Sequence, residues 1–223
     1  MATASNFHRS TWRGRRWRQS GAVGRACWEV LEDRRLMSFS PATSFPVAAN
    51  PQAVVTADFN NDGKLDLATS SYDDATGDGS VSVLLSNGNG SFQPARTFAT
   101  GPYPFSLAAG DFNADGKIDV AAANNGGGDN NDVSILLGNG DGTFADAVGI
   151  GASGYSWAIA TGDLNADGNL DLVTTADDGW GADSVSVMLG HGDGSFAAPI
   201  TYDSYYGQLL RPREKLYSAI ALF

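Results

Sequence analysis

The nine residues Asp58-Phe-Asn-Asn-Asp-Gly-Lys-Leu-Asp66 are the most informative segment of the chain, because the chain repeats them twice more with small changes. The other copies are Asp111-Phe-Asn-Ala-Asp-Gly-Lys-Ile-Asp119 and Asp163-Leu-Asn-Ala-Asp-Gly-Asn-Leu-Asp171. Each copy has oxygen-bearing side chains at positions 1, 3, 5 and 9 and a glycine at position 6. Hard oxygen ligands on a tightly turned backbone suit Ca²⁺. The pattern therefore predicts three calcium-binding loops.

The spacing of the loops indicates a tandem repeat. Asp58 and Asp111 are 53 residues apart, and Asp111 and Asp163 are 52 apart. A second motif recurs in step with the first. Its copies are Asn87-Gly-Asn-Gly-Ser-Phe92, Asn139-Gly-Asp-Gly-Thr-Phe144 and His191-Gly-Asp-Gly-Ser-Phe196. A unit of about 50 residues made of short strands and turns is the size of one β-propeller blade, a four-stranded sheet.

Short apolar runs predict the strands of each unit. In the first unit they are Ala53–Ala57 and Leu65–Ser70 on either side of the acidic loop, then Val81–Leu85, and a fourth strand opened by Phe92. The acidic loop is then the turn of a hairpin, and no helical periodicity occurs between residues 45 and 202. The corresponding runs are Ser106–Ala109, Ile118–Ala123, Val133–Leu137, Trp157–Thr161, Leu170–Thr175 and Val185–Leu189, with fourth strands opened by Phe144 and Phe196.

Across about residues 45–202 the chain resembles the FG-GAP and VCBS repeats of integrin-type β-propellers and of large bacterial secreted proteins. The resemblance implies an all-β fold of propeller blades, here three complete repeats within residues 41–202, in a family whose propellers have roughly seven. It also implies Ca²⁺ in each loop, with main-chain carbonyls from Lys64, Lys117 and Asn169. The implied side-chain ligands are Asp58, Asn60, Asp62, Asp66, Asp111, Asn113, Asp115, Asp119, Asp163, Asn165, Asp167 and Asp171.

Other calcium motifs fit less well. An EF-hand requires Glu at position 12 and a dockerin repeat an acidic residue there, whereas this chain has Thr69, Ala122 and Thr174. The short-period glycine-rich pattern of an RTX β-roll is absent. Kelch repeats share the period but have no acidic loop of this kind. Ordinary turns remain the alternative to metal binding, because Asp, Asn and Gly are common turn residues.

The charge distribution favours an extracellular metal-binding protein. Residues 41–210 contain 21 acidic residues, all Asp, and three basic ones, a balance of −18. Bound Ca²⁺ would relieve the repulsion among clustered carboxylates, although Asp also keeps repetitive β-proteins soluble. The single cysteine, Cys27, excludes a disulfide within the chain. Calcium would replace disulfides as the staple of a secreted or cell-surface protein.

Residues 1–40 form a different kind of segment. Residues 1–36 hold eight Arg and three acidic residues, and no hairpin pattern. Residues 28–38 resemble a Leu-Glu-x-Arg-x-Leu-Leu element near the start of large bacterial secreted proteins, so we interpret this segment as a disordered leader or sorting signal. Nucleic-acid binding is disfavoured because the body is acidic. No stretch reaches the length of a membrane span.

The repeat pattern stops after residue 202, and residues 203–223 form an atypical stub. Tyr217–Ala221 resembles the strand that precedes an acidic loop, but no loop follows. Three blades and a stub do not close a ring, which suggests a truncated product or assembly by oligomerisation. Open blade edges and sheet faces favour self-association.

The residues favour binding over catalysis. With two His and one Cys, a nucleophile–base constellation is nearly excluded. We expect a recognition or adhesion module for an unknown protein or glycan. An accessory or catalytic module of a polysaccharide-degrading enzyme and a purely structural surface spacer are the alternatives. The loops that vary between repeats would hold the ligand contacts, and Trp180 is the candidate residue, with packing against a neighbouring blade as the other interpretation.

Overall fold

The chain is built from β-strands throughout its described part. A computed structural model describes residues 42–126, 132–152, 154–177, 182–205 and 211–212. No helix occurs in these ranges. The prediction of an all-β fold is confirmed.

The strands form three antiparallel sheets, one for each sequence repeat, which we call blades 1, 2 and 3. In every blade the strands pair in chain order, so each sheet is a meander. Blade 1 consists of β1 (Pro51–Ala57), β2 (Asp66–Tyr72), β3 (Gly79–Leu84) and β4 (Arg96–Thr100). Blade 2 consists of β5 (Pro104–Gly110), β6 (Asp119–Asn124), β7 (Val133–Leu136) and β8 (Val148–Ile150). Blade 3 consists of β9 (Tyr155–Gly162), β10 (Asp171–Asp177), β11 (Ala182–Met188), β12 (Ile200–Tyr205) and β13 (Arg211–Pro212).

The hairpin prediction is confirmed, because the first acidic loop connects the antiparallel strands β1 and β2 and the other two loops do the same in their blades. The predicted start of the fourth strand is four residues too early. Phe92, Phe144 and Phe196 form isolated bridges, and the strand itself begins at Arg96, Val148 or Ile200. The phenylalanines pack inward instead: Phe144 stacks edge-on against Phe59 with ring centroids 5.8 Å apart.

Two buried clusters lie between adjacent blades. The first joins Phe59 and Val81 of blade 1 to Leu107 and Leu136 of blade 2. The second joins residues of blade 2 to Ile159, Leu172 and Met188 of blade 3. Blade 2 is therefore covered on both faces, and every residue of β6 is buried. Its run of alanines, Ala121–Ala123, allows sheets to approach from both sides.

Several predictions concern residues outside this description. The leader at 1–40 lies outside the described residues, and so does most of the 203–223 stub. The strand β12 extends into the stub as far as Tyr205, and its residues Tyr202 and Asp203 pair with Pro212 and Arg211 of β13. The described part has no helix of sufficient length and apolarity to cross a membrane.

Candidate metal centres in the acidic loops

The first acidic loop is closed by its own side-chain oxygens. The Asp58 carboxylate accepts the backbone N–H of Asp62 at Oδ1 (3.0 Å) and that of Gly63 at Oδ2 (2.7 Å). The Asn60 Oδ1 also accepts the Asp62 N–H, at 3.1 Å, and the Asp62 Oδ1 accepts the N–H of Lys64 at 3.0 Å. Oxygens from positions 1 and 3 therefore meet at one backbone nitrogen, and the oxygen of position 5 continues the turn.

The other two loops repeat this arrangement atom for atom. In the second loop, Asp111 accepts from Asp115 (3.1 Å) and Gly116 (2.8 Å), and Asn113 accepts from Asp115 at 3.1 Å. In the third loop, the same three bonds measure 3.2, 3.0 and 3.0 Å. The bonds from the residue at position 7 to the position 5 oxygen measure 2.9 and 2.8 Å. The three loops have the same residue types at positions 1, 3, 5 and 6, and they form the same backbone hydrogen bonds at these positions.

The loop backbone is left-handed at two positions. Glycine at position 6 has φ between +79° and +91° in the three loops, as the sequence predicted. Position 4 is also left-handed, and the sequence did not indicate it: φ is 55° at Asn61, 56° at Ala114 and 61° at Ala166. An alanine there costs roughly 1 kcal/mol. The hydrogen bonds of the surrounding side chains offset this cost.

The aspartate at position 9 has a different environment from the other loop oxygens. Asp66 is fully buried and accepts the Phe59 N–H at 3.0 Å and the N–H of Ser86, two residues after β3, at 2.7 Å. Asp119 accepts from Phe112 and Gly138, at 2.8 and 2.7 Å. Asp171 accepts from Leu164 and Gly190, both at 2.8 Å. In every blade this carboxylate joins the acidic loop to the end of the third strand.

The comparison with known families identifies the repeat. The FG-GAP-like repeat family matches residues 75–122 and 111–174, and the FG-GAP repeat family matches residues 50–84. Together these matches cover residues 50–174, more than half of the 223-residue chain. The chain is an FG-GAP repeat protein. FG-GAP repeats are in general extracellular adhesion or recognition modules, typical of surface proteins, and their domains are generally not catalytic.

Two solved structures are similar to this FG-GAP chain at low identity. One is a Xanthomonas type IV secretion system related protein, 17% identical, with 71% of this chain and 86% of that chain aligned at a TM-score of 0.30. The other is the V. cholerae biofilm matrix protein Bap1, 17% identical, with 66% of this chain and 27% of that chain aligned at 0.28. Neither superposition is close enough to carry a functional inference. No curated protein matches the chain.

Electrostatics separate the FG-GAP loop carboxylates into two groups. Burial raises the pKa of Asp66 and of Asp119, although both accept backbone hydrogen bonds that act in the opposite direction. The side-chain hydrogen bond from Lys64 lowers the pKa of exposed Asp62, and Lys117 does the same to Asp115. Asp66 and Asp119 thus bear the cost of desolvation, while Asp62 and Asp115 stay ionised and accessible.

A cation already lies beside position 5 in two of the loops. The Lys64 Nζ is 2.8 Å from the Asp62 Oδ2, and the Lys117 Nζ is 3.0 Å from the Asp115 Oδ2. In the third loop, where position 7 is Asn169, the Asn165 amide donates to the Asp167 Oδ2 at 2.8 Å instead. In the first two FG-GAP loops, a metal ion bound through position 5 would have to displace the lysine ammonium. In the third loop, position 7 supplies no ammonium to displace.

The donor set of each FG-GAP loop fits a hard cation only in part. Within the described ranges, no group of three or more His, Cys, Asp or Glu side chains is arranged to hold a metal ion. The loops offer two carboxylates and one amide oxygen at positions 1, 3 and 5, and the oxygens of positions 1 and 3 accept the same N–H. Asp66 and its equivalents use both oxygens for N–H bonds, although each oxygen keeps a further lone pair. The position 9 carboxylates are buried, whereas the side chains at positions 1, 3 and 5 are open to solvent. Positions 1, 3 and 5 are therefore the ones that a cation from solution can reach.

Trp180, the predicted ligand contact, lies outside the described residues. The structure instead reveals a row of aromatic rings across the three FG-GAP blades. Phe105 packs against Tyr72 of blade 1 at 5.8 Å and against Trp157 of blade 3 at 5.1 Å, measured between ring centroids. Phe105 and Trp157 both lie six residues before the first aspartate of their loops. That shared repeat position was the signal available in the sequence.

Proposed function

We propose that this FG-GAP repeat protein is a secreted or surface-attached recognition module whose acidic loops bind structural Ca²⁺. The observation that carries the proposal is that the position 1 and position 3 oxygens meet at the same backbone N–H, that of the position 5 residue, in all three loops. Plain turns do not require two carboxylates and an amide at fixed positions in every copy. The carboxylate oxygens that Ca²⁺ prefers are supplied at all three hairpins.

Bound Ca²⁺ would stabilise the folded blades and would not take part in a catalytic reaction. Ca²⁺ takes about six to eight oxygen ligands, so the loop side chains would be completed by main-chain carbonyls and water. Asp58, Asn60 and Asp62, with their equivalents in the other blades, would hold the ion. An ion at that place would neutralise charge in a segment whose balance is −18 and would fix the turn between the first two strands of the blade.

The ligand of the module is proposed to be a protein or a glycan. Family membership supports recognition in general, and the loops between the second and third strands differ among the blades while the strands around them are alike. In blade 1 this loop is ordered by Asp73, which accepts from the N–H groups of Ala75 and Thr76 at 2.8 and 3.1 Å. A rigid scaffold that carries variable loops is the usual arrangement for binding.

Thermal unfolding of the full chain across a Ca²⁺ titration tests the metal part of the proposal. The melting temperature should rise between about 10⁻⁴ and 10⁻³ M, the range of extracellular calcium modules, and EDTA should reverse the rise. Mg²⁺ in parallel measures selectivity. A melting temperature that does not respond to Ca²⁺ would leave the acidic loops as ordinary turns.

Binding to a glycan array and to candidate surface proteins, with polysaccharide-cleavage assays run on the same preparation, tests the recognition part. Retention of a ligand without product release is the expected outcome. Released product would instead support the polysaccharide-active alternative, and no retention of any ligand would support a structural spacer.

A further inference from the structure

The two interfaces between blades are made from the same repeat positions. Leu107 and Ile159 lie four residues before the first aspartate of their loops, and each is buried against the preceding blade. Ile118 and Leu170, at position 8 of their loops, also pack into these clusters. Each of the two interfaces is thus formed by one surface of the earlier blade and a different surface of the later blade.

Blade 1 presents one of these surfaces without a neighbour in the described structure. Val54 occupies the position of Leu107 and Ile159, which are 6% and 8% exposed, yet Val54 is 60% exposed. Leu65 corresponds to Ile118 and Leu170 and is 66% exposed. We call the surface that contains Val54 and Leu65 the leading face.

Blade 3 presents the opposite surface. Position 2 of the acidic loop is Phe59 in blade 1 and Phe112 in blade 2, both almost fully buried against the following blade. The equivalent residue in blade 3, Leu164, is 55% exposed. We call the surface of blade 3 that contains Leu164 the trailing face.

Main-chain hydrogen bonds set the register of the two interfaces. The Gly142 N–H donates to the Phe59 carbonyl oxygen at 3.0 Å, and the Gly194 N–H donates to the Phe112 carbonyl oxygen at 3.0 Å. The equivalent glycine of blade 1 is Gly90, and a Cβ there would meet no atom within 4 Å. The donor position of Gly90 and the acceptor position of Leu164 are therefore the two halves of a third bond of the same kind.

We propose that the trailing face of one chain docks on the leading face of a second copy. The chain makes this interface twice within itself, and the two faces left exposed among the described residues are the complementary halves of a third. Exposed apolar residues at positions that are otherwise buried mark an interaction surface. The contact is head-to-tail, so it builds closed rings or open chains of copies.

Sedimentation velocity on the full chain in the presence of Ca²⁺, over a range of protein concentrations, tests the proposal with two variants. Val54→Asp disables the leading face, and Leu164→Asp disables the trailing face. Each should weaken self-association about 100-fold or more, because docking would bury a carboxylate without a partner. The wild type should show species of dimer mass or larger, and each variant alone should be monomeric.

The mixture of the two variants gives the decisive result. Val54→Asp retains a trailing face and Leu164→Asp retains a leading face, so an equimolar mixture should form a one-to-one dimer and nothing larger. Val148→Asp, at an exposed residue of β8 on neither face, should associate like the wild type, and far-UV circular dichroism checks that all variants are folded. A monomeric wild type would overturn the proposal, with another segment of chain covering the faces. Association that both variants retain, or a mixture that stays monomeric, would also overturn it.

Discussion

Gly142 donates its backbone N–H to the carbonyl oxygen of Phe59, across the boundary between blades 2 and 1, at 3.0 Å. The turn that contains Gly142 is thereby fixed to the acidic loop that contains Phe59. Gly142 itself is left-handed, with φ of +78°, and a Cβ at this position would lie 2.7 Å from the Leu85 side chain. The two sequence motifs of the repeat are thus in direct contact, but in adjacent blades.

Gly142→Ala should destabilise the protein by about 2–3 kcal/mol, of which roughly 1 kcal/mol is left-handed strain and the rest is the clash with Leu85. Gly90→Ala is the matched control, because Gly90 has φ of +83° but open space around it. It should cost about 1 kcal/mol. Urea unfolding of both variants at low protein concentration measures the difference, and equal losses would show that the inter-blade contact at Gly142 contributes nothing.

Phe112→Ala should lower the free energy of unfolding by about 3–5 kcal/mol, since the ring is buried between blades 2 and 3. Leu164→Ala removes an apolar side chain from the same repeat position, where it is exposed. That change should cost less than about 0.5 kcal/mol in the monomer. Thermal or urea unfolding checks both values, and a large loss at Leu164 in dilute solution would mean that the monomer itself covers this residue.

Asp119→Ala should destabilise the protein by about 2–5 kcal/mol, because the buried N–H groups of Phe112 and Gly138 would lose their acceptor. Asp146→Ala, at an exposed aspartate of the same blade, should be nearly neutral. The measurement is urea unfolding in EDTA, which removes any contribution from metal. A cost below about 1 kcal/mol would show that water replaces the carboxylate.

Asp119 also predicts a dependence on pH. Burial raises its folded-state pKa above the ordinary value of 3.8. At pH values between the unfolded-state pKa and the raised folded-state pKa, Asp119 binds more protons in the folded chain than in the unfolded chain. Its contribution to stability therefore falls as the pH rises through that interval. Relative to Asp119→Asn, the wild type should therefore lose stability from about pH 4 upward. Unfolding of both proteins in EDTA at several pH values checks this, and a constant or growing advantage of the wild type would contradict it.

Asp115→Ala tests calcium binding at a single loop. In saturating Ca²⁺ the variant should lose about 1–3 kcal/mol of stability relative to the wild type, because ligand binding to the folded state contributes in this range. In EDTA the loss should be below about 1 kcal/mol, the value of the exposed hydrogen bond to the Lys117 N–H. Calorimetric Ca²⁺ titration should show one site fewer or one weakened site. Equal destabilisation with and without Ca²⁺ would mean that Asp115 is only a turn residue.

The third loop should differ from the first two in its metal affinity. Lys64 and Lys117 form ion pairs with the position 5 carboxylate, and a metal ion would have to break these pairs. Asn169 is uncharged and forms no such pair in the third loop. Replacing Lys117 by Asn should therefore strengthen Ca²⁺ binding at the second loop and reduce the difference between the two loops. Isothermal titration of the wild type and the variant measures this, and unchanged affinities would show that the ammonium leaves without cost.

The local features of the fold were predictable from sequence because they depend on neighbouring residues. The strand runs, the hairpin position of the acidic loops and the left-handed glycine at position 6 all follow from patterns within about ten residues. The left-handed backbone at Ala114 and Ala166 was not predictable, since alanine does not favour it. The start of the fourth strand was misplaced because Phe144 packs on Phe59 of another blade.

For the candidate site, Asp66, Asp119 and Asp171 are residues whose environment could not be predicted from neighbouring sequence. By sequence they are the last oxygen ligands of the loops, and nothing nearby distinguishes them from Asp58 or Asp62. In the structure these carboxylates are buried, and each accepts an N–H from a residue just after the third strand of its blade. For Asp66 that residue is Ser86, which is 20 positions later in the sequence. Their metal-ligand prediction remains a prediction.

The repeat, its period, the all-β character and the three oxygen-rich loops can be read from the amino-acid sequence, because short-range pattern and spacing specify each of them. The packing of the blades is needed to show which loop residues are exposed and which are buried, and how one blade contacts the next. It also separated Val54 and Leu164 from their buried equivalents. The physical reason is that burial depends on which sheet lies against a face, and residues at the same repeat position acquire different environments according to the neighbour that covers them.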